Sequence, residues 1–272
     1  MDFKQVNAAE DSAAMIESIA DNFRAMNLPR LAGAELYLGT PLIILESFHN
    51  ALCKQRSEDE EKRFRNRLRY AGIFRERSAN TFKWDDDTYP LAEPGVIEHA
   101  LNIEFVGQRR SLIVAGPPGV GKSLLVTIIA CKAIRAGFSV HYRTAHDIAT
   151  ELRESKSGKS LSGCIQKLQA RDVLIVEDVT FATFDKPTAQ AFFSVMDKRY
   201  GRKTTIITSN GNINEWAGSF PGSSMGPAIL GRFYEDALLI NMNGAIDMRL
   251  NKAKGIICGA DDASAGAEGG MR

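Results

Sequence analysis

The run Gly116-Pro117-Pro118-Gly119-Val120-Gly121-Lys122-Ser123 is the strongest chemical signal in the chain. Glycines at this spacing let successive backbone N–H groups turn toward one centre, which suits phosphate oxygens. An apolar run precedes the loop and a helical pattern follows it, so the positive end of that helix points at the same centre. In such a loop Lys122 reaches the β- and γ-phosphates of ATP, and the Ser123 hydroxyl binds Mg²⁺. The expected nucleotide-binding segment runs from Gly116 through Leu124.

A second centre is Val173-Leu-Ile-Val-Glu177-Asp178, an apolar run that ends in two acids. A phosphate loop needs an acid at the end of a neighbouring strand to hold the shell of the metal ion. Glu177 has the reach for that task, and Asp178 is the expected base toward the attacking water. ATPases of this type usually carry Asp before Glu. Here the order is reversed and the base is one methylene shorter, so metal binding with slow hydrolysis is expected. Thr204-Thr-Ile-Ile-Thr-Ser-Asn210 is a third apolar run with a polar end. In a parallel sheet ligands sit outside the carboxyl ends of the strands, which puts Asn210 within reach of the γ-phosphate or the water. Arg232 and Arg249 follow, and an arginine can stabilise charge on a transferring phosphoryl group, from the same or a neighbouring subunit.

The elements that must position these groups are legible from the texture of the sequence. From residue 111 onward short apolar runs alternate with helical patterns: Leu112–Ala115, Val140–Tyr142, Val173–Val176, Thr205–Thr208 and Leu238–Met242. Apolar strands alternating with helices predict an α/β fold with a parallel sheet covered on both faces. Residues 1–77 read as a small helical N-terminal domain. Ile16, Ile19, Phe23 and Met26 recur at helical spacing. Leu36 to Leu45 is a second apolar stretch, and a further helix is expected from Ser57, with acids in its first turn. Residues 78–108, punctuated by Asp85 to Asp87, Pro90 and Pro94, read as a linker packed on the next domain. The ATPase domain is expected over 78–254. The Gly- and Ala-rich residues 255–272 read as a disordered tail.

Lys and Arg number 34 against 33 Asp and Glu, so the chain as a whole is close to neutral. The charge is nevertheless uneven. Between Lys62 and Arg77 seven basic residues face one acid, Glu76, a local +6. Such a segment suits an anion-binding face, with Arg63, Arg65, Arg67 and Arg69 as candidate contacts to DNA phosphates. No base-reading motif accompanies them, so binding mainly to the backbone of duplex DNA is expected. Cys53, Cys131, Cys164 and Cys258 show no zinc-type spacing, and His49, His99, His141 and His146 read as structural or surface residues. Free thiols and the lack of a long apolar stretch fit a cytoplasmic protein without a membrane span.

In their order, GPPGVGKS, LIVED, TIITSN, AILGRF and MRL resemble the AAA+ ATPases of the IstB/DnaC branch, and more narrowly the IstB-like helpers of insertion-sequence transposition. Phe193 to Tyr200, Trp216, Met26 to Arg30 and Arg63 to Ala71 are similar to flanking segments of that family. The resemblance covers roughly residues 20–254. It implies a P-loop AAA+ fold with Lys122 and Ser123 as the Walker A pair and Glu177 and Asp178 as the Walker B pair. Asn210 matches sensor 1, Arg232 an arginine finger and Arg249 a sensor 2-like position. The finger lies in Gly-Arg-Phe where the family tends to have Asp-Arg-Leu. The implied role is ATP- and Mg²⁺-dependent assembly on duplex DNA as a homo-oligomer with shared ATP sites, delivering and stimulating an IstA-type transposase. Two other readings stay open: a DnaC-like replicative helicase loader, and a nucleotide-gated assembly protein with little hydrolysis.

Overall fold

The computed structural model describes residues 3–82, 88–155, 159–210, 220–221, 231 and 237–245. Arg232, Arg249, Trp216 and the tail over 255–272 lie outside the described residues. The chain divides into two compact units, Met1–Asn66 and Arg67–Arg272.

The first unit is helical. Helix α1 spans Phe3–Ala25 and α2 begins at Leu42 and runs to Ala71. The stripe read from the sequence is the core here: Ile16, Ile19 and Phe23 of α1 are buried with Ala20, Ala32, Leu45 and Leu52. Asn27 takes a left-handed turn at φ 61° and lets the Leu28 N–H bond back to the Phe23 carbonyl at 2.8 Å, which closes α1. The expected helix start at Ser57 does not occur. From Leu42 to Ala71 there is no glycine or proline, so one 30-residue helix passes through the acids Glu58 to Glu61.

The second unit carries a five-stranded sheet in the order β2-β3-β4-β1-β5 among the described residues. The strands are β1 (Ser111–Ala115), β2 (Val140–Thr144), β3 (Val173–Glu177), β4 (Thr204–Ser209) and β5 (Ala237–Asn241), and all neighbours pair in parallel. Each of the five apolar runs forms a strand. Helix α5 (Lys122–Arg135) follows β1 and packs on β2, β3 and β4. Helices α6 (Ala145–Glu154), α7 (Lys159–Ala170) and α8 (Lys186–Arg199) pack together. Their Ile148, Leu152, Leu168, Phe192 and Val195 share a core with Ile113, Leu174, Val176 and Ile207. The Thr144 hydroxyl caps α6 on the Asp147 N–H, and the Asp185 carboxylate caps α8 on that of Thr188.

The segment read as a linker contains two helices, α3 (Pro94–Leu101) and the single turn α4 (Glu104–Gly107). Pro94 does not break structure but starts a helix, where its missing N–H costs nothing. Tyr89, Ile97, Ala100 and Phe105 are fully buried, so this segment is part of the core.

Register brings the strand ends level. Ala115 pairs with Ser209 and with Asn241, and Thr144 with Glu177. Gly116, Asp178 and Asn210 therefore leave the sheet along one edge, and the chain crosses from β1 to the far strand β2 there, the place where open α/β sheets hold ligands.

Candidate nucleotide site

The phosphate loop is shaped by its glycines. Gly119 and Gly121 have φ of 86° and 100°, a region that residues with a Cβ rarely enter, and Gly121 is the N-cap residue of α5. Gly116 is needed for a different reason. A Cβ built there would lie 2.7 Å from the Met242 Cβ and 2.9 Å from the Met242 carbonyl carbon and oxygen. The loop leaves β1 through a gap that fits only backbone.

Lys122 is 5% exposed, and its Nζ donates to the carbonyls of Gly116 and Pro117, each at 2.8 Å. Its ammonium therefore lies against the start of the loop. The loop borders a cavity of about 430 Å³ lined by Pro118, Gly119, Gly121, Lys122, Ser123 and Leu124 together with Asp178 and Asn210. Val120 points away: it is fully buried, and its carbonyl accepts the Tyr89 hydroxyl at 2.8 Å.

The two acids divide as their strand dictates. Alternation along β3 puts Val176 in the core with α6, α7 and α8, so Glu177 faces the other side, toward α5. The Ser123 hydroxyl donates to the Glu177 carboxylate. Tyr142 on β2 also hydrogen-bonds Glu177 and meets the Thr127 hydroxyl. Burial and the Glu177 charge hold the Tyr142 phenol far above its usual range. Asp178 turns out of the strand with φ 55° and ψ 55°, its N–H held by the Thr208 hydroxyl at 3.0 Å. Its carboxylate accepts from Asn210 Nδ2 at 2.9 Å. Burial and neighbouring Glu177 raise the Asp178 pKa, while Lys122 and Asn210 pull it back.

Mg²⁺ fits the donor set at this place, since Ser123 and Glu177 present a hydroxyl and a carboxylate oxygen side by side, the hard ligands that ion takes. Arg63 and Arg65 belong to the first unit and Arg67 and Arg69 to the second, all on α2. Arg65 lies 3.4 Å from Glu61 in an exposed ion pair. Arg69 borders a hollow of about 550 Å³ that also touches Tyr142, Arg143 and Glu177, whereas Arg67 borders a separate one.

Tyr89, Tyr142 and Thr208 support this site, and no sequence signal pointed to them. Arg199, at the opposite end of the strands, is another buried residue that no sequence signal singles out. It is 1% exposed and donates to the carbonyls of Leu168, Arg171, Asp172 and Thr204 and to the Thr205 hydroxyl, tying the starts of β3 and β4 to the end of α7. Burial lowers its pKa to about 10, against the pull of Asp172, so it stays charged.

Known proteins resemble this chain in sequence and in fold. A model of the family described as IstB-like ATP binding protein matches residues 43–255. A protein of insertion sequence IS5376 from Geobacillus stearothermophilus, named for ATP binding, is 29% identical over 163 residues, 58% of this chain and 65% of that protein. Its counterpart from insertion sequence IS21 of Pseudomonas aeruginosa is 27% identical over 162 residues, 60% of this chain and 61% of that one. The matched part spans less than two thirds of either relative. Among solved structures, the replication initiator DnaA bound to AMPPCP and single-stranded DNA superposes with a TM-score of 0.52 at 19% identity, over 68% of this chain and 55% of that one. That likeness carries the fold alone. No helix among the described residues is long and apolar enough to cross a membrane. A P-loop AAA+ sheet with its glycine cradle at the chain reversal, matched by the family model over most of its length, places the chain in the IstB-like ATP-binding protein family.

Proposed function

We propose that this protein is a DNA-binding ATPase that assembles on duplex DNA with ATP and assists a transposase of the IstA type in choosing and using its target. The observation that carries the reading is the pairing of Ser123 with Glu177 and of Asn210 with Asp178 at the cavity of about 430 Å³ beside the glycine loop of an IstB-like chain. On ATP binding the Lys122 ammonium exchanges the carbonyls of Gly116 and Pro117 for phosphate oxygens, a charge-assisted contact in place of a neutral acceptor. The loop N–H groups and the start of α5 take the remaining phosphate charge. Ser123 and Glu177 would hold Mg²⁺, which neutralises charge on the β- and γ-phosphates.

Hydrolysis asks for one proton acceptor. As a water oxygen bonds to the γ-phosphorus and the bond to the β,γ-bridging oxygen breaks, Asp178 accepts the water's proton while Asn210 fixes its orientation. Arg232 from a neighbouring subunit and Arg249 complete the charge stabilisation in this reading, and the helical N-terminal region with Arg63, Arg65, Arg67 and Arg69 supplies the contacts to DNA. The Glu177-Asp178 order favours a second reading, in which ATP gates assembly and is split slowly.

The test is co-sedimentation with duplex DNA, with and without ATP, for the wild type and Lys122→Ala. ATP-dependent assembly that Lys122→Ala abolishes is expected, together with stimulated strand transfer by the cognate transposase. DNA binding indifferent to ATP and to Lys122 would overturn the proposal. Phosphate release measured in the same samples separates the two readings.

A further inference from the structure

A second hollow, of about 310 Å³, opens within the second unit beside the starting ends of β2 and β3, the opposite edge of the sheet from the phosphate loop. Arg67 and Tyr70 from the last turns of α2, Phe138 and Ser139 ahead of β2, and Arg171 ahead of β3 line it. Tyr70 is 83% exposed, a ring left in water that the core does not use. Among the described residues neither Arg67 nor Arg171 pairs with a carboxylate. The nearest acid in sequence, Asp172, is already engaged. It accepts from the Ser139 N–H at 3.0 Å, the Ser139 hydroxyl at 2.7 Å and Lys203 Nζ at 2.9 Å. Burial would raise its pKa, but these donors outweigh that and hold it down at about 2.

The wall is also stiff and positive. Arg199 clamps the carbonyls of Leu168, Arg171 and Asp172 from beneath, so the Arg171 turn is fixed without help from a ligand. Buried His141, on β2, feels the same field. Burial first, then the charges of Arg143, Lys167, Arg171 and Arg199, push it down to about 4.

We propose that this hollow seats a nucleic-acid strand, with a phosphate between Arg67 and Arg171 and one base stacked on Tyr70. Two guanidinium forks match phosphate oxygens, and an aromatic ring accepts the face of any base. The inference rests on the DNA-binding reading above and adds Tyr70 and Arg171 to it. The stacked base comes from a single strand or from an unstacked step of a deformed duplex, and the experiment separates these sources. An acidic protein partner would use the same arginines without any dependence on a base.

The experiment measures binding of a labelled 20-nucleotide single strand and of the matching duplex by anisotropy, with ATP saturating, at several salt concentrations. Wild type, Tyr70→Ala, Tyr70→Phe and Arg171→Ala are compared, and a nucleotide-binding measurement confirms that each variant still takes ATP. Tyr70→Ala should weaken binding by roughly fivefold or more, while Tyr70→Phe keeps wild-type affinity, as stacking requires. Arg171→Ala should reduce the log–log salt slope by roughly 0.7 on the single strand or 0.9 on the duplex. Loss confined to the single strand identifies that source, and equal loss on both identifies an unstacked duplex step. If wild type binds DNA and Tyr70→Ala binds it equally well, the stacked base is overturned while the DNA-binding reading stands. If wild type binds neither DNA, both fall together.

Discussion

Replacing Gly116 by alanine adds one methyl group where the structure has no room for it. That Cβ would lie 2.7 Å from the Met242 Cβ and 2.9 Å from the Met242 carbonyl carbon and oxygen. Unstrained carbon contacts need about 3.5–4.0 Å, so the loop and the end of β5 must separate by roughly 0.8–1.3 Å. Neither side yields easily. The Gly116 N–H is held by the Ser209 carbonyl at 3.1 Å, and the Met242 N–H by that of Ala115 at 2.7 Å. Overpacking of this kind costs ~1–3 kcal/mol of stability. The shift would also move the two carbonyls that hold Lys122, so ATP affinity should fall about tenfold or more, which is ~1.4 kcal/mol or more. Urea unfolding and titration with a fluorescent ATP analogue measure the two effects. Removing the Met242 side chain as well, by Met242→Gly, should restore only part of the loss, because two of the three close atoms are backbone. Wild-type affinity and stability in Gly116→Ala, or complete recovery in the double variant, would refute the argument.

Tyr142→Phe removes the hydroxyl between Thr127 and Glu177, so the Glu177 carboxylate loses one of its two anchors; the Mg²⁺ concentration needed for half-maximal ATP binding should rise severalfold, with binding in chelator unchanged, and an unaltered Mg²⁺ dependence would remove Tyr142 from the site. His141 is held down at about 4 against an ordinary value of 6.5. Between those values the unfolded chain binds the extra proton, so stability is intact above about pH 6.5 and declines as pH falls toward 4, by up to roughly 3 kcal/mol. Urea unfolding at pH 7.5 and 4.5 should show a smaller decline in His141→Asn than in wild type, and parallel declines would sink the idea. Asp178→Asn should lower hydrolysis while sparing ATP binding, and Asp178→Glu should not raise it; a faster Asp178→Glu enzyme would show that the short side chain limits the rate.

What the sequence disclosed about the fold and the site depended on how local each demand is. Gly119 and Gly121 are written into the chain because backbone with positive φ selects for glycine, and five apolar runs mark the five strands of the described sheet. Glu177, Asp178 and Asn210 stand at strand ends, where the sheet alone fixes their edge. Contacts made across the fold left no such trace. Tyr89 reaches the Val120 carbonyl over 31 residues, and Arg199 reaches Leu168 over the same separation. Nothing in the residues around Tyr89 or Arg199 encodes a partner so distant. The continuity of helix α2 is likewise not signalled locally. Glu58 to Glu61 have the composition of a first turn, but a helix continues unless something stops it, and neither glycine nor proline intervenes.

The reversed acids also have a local cause. Position 178 must turn the chain out of β3 through φ 55° and ψ 55°, a left-handed conformation costing most side chains about 1–2 kcal/mol. Asp and Asn enter that region several times more readily than longer residues, because a short polar side chain can bond locally. In the folded chain the Asp178 carboxylate accepts from Asn210 and its N–H is held by Thr208, both on or just after β4, so the turn is fixed from the neighbouring strand. The preceding position has the opposite requirement. Its side chain leaves a strand facing α5 and must reach the Ser123 hydroxyl and the Tyr142 phenol together, which the extra methylene of Glu177 allows. Backbone at one position and reach at the other thus both favour Glu before Asp. Glu before Asp is therefore the order that this turn accommodates at least cost.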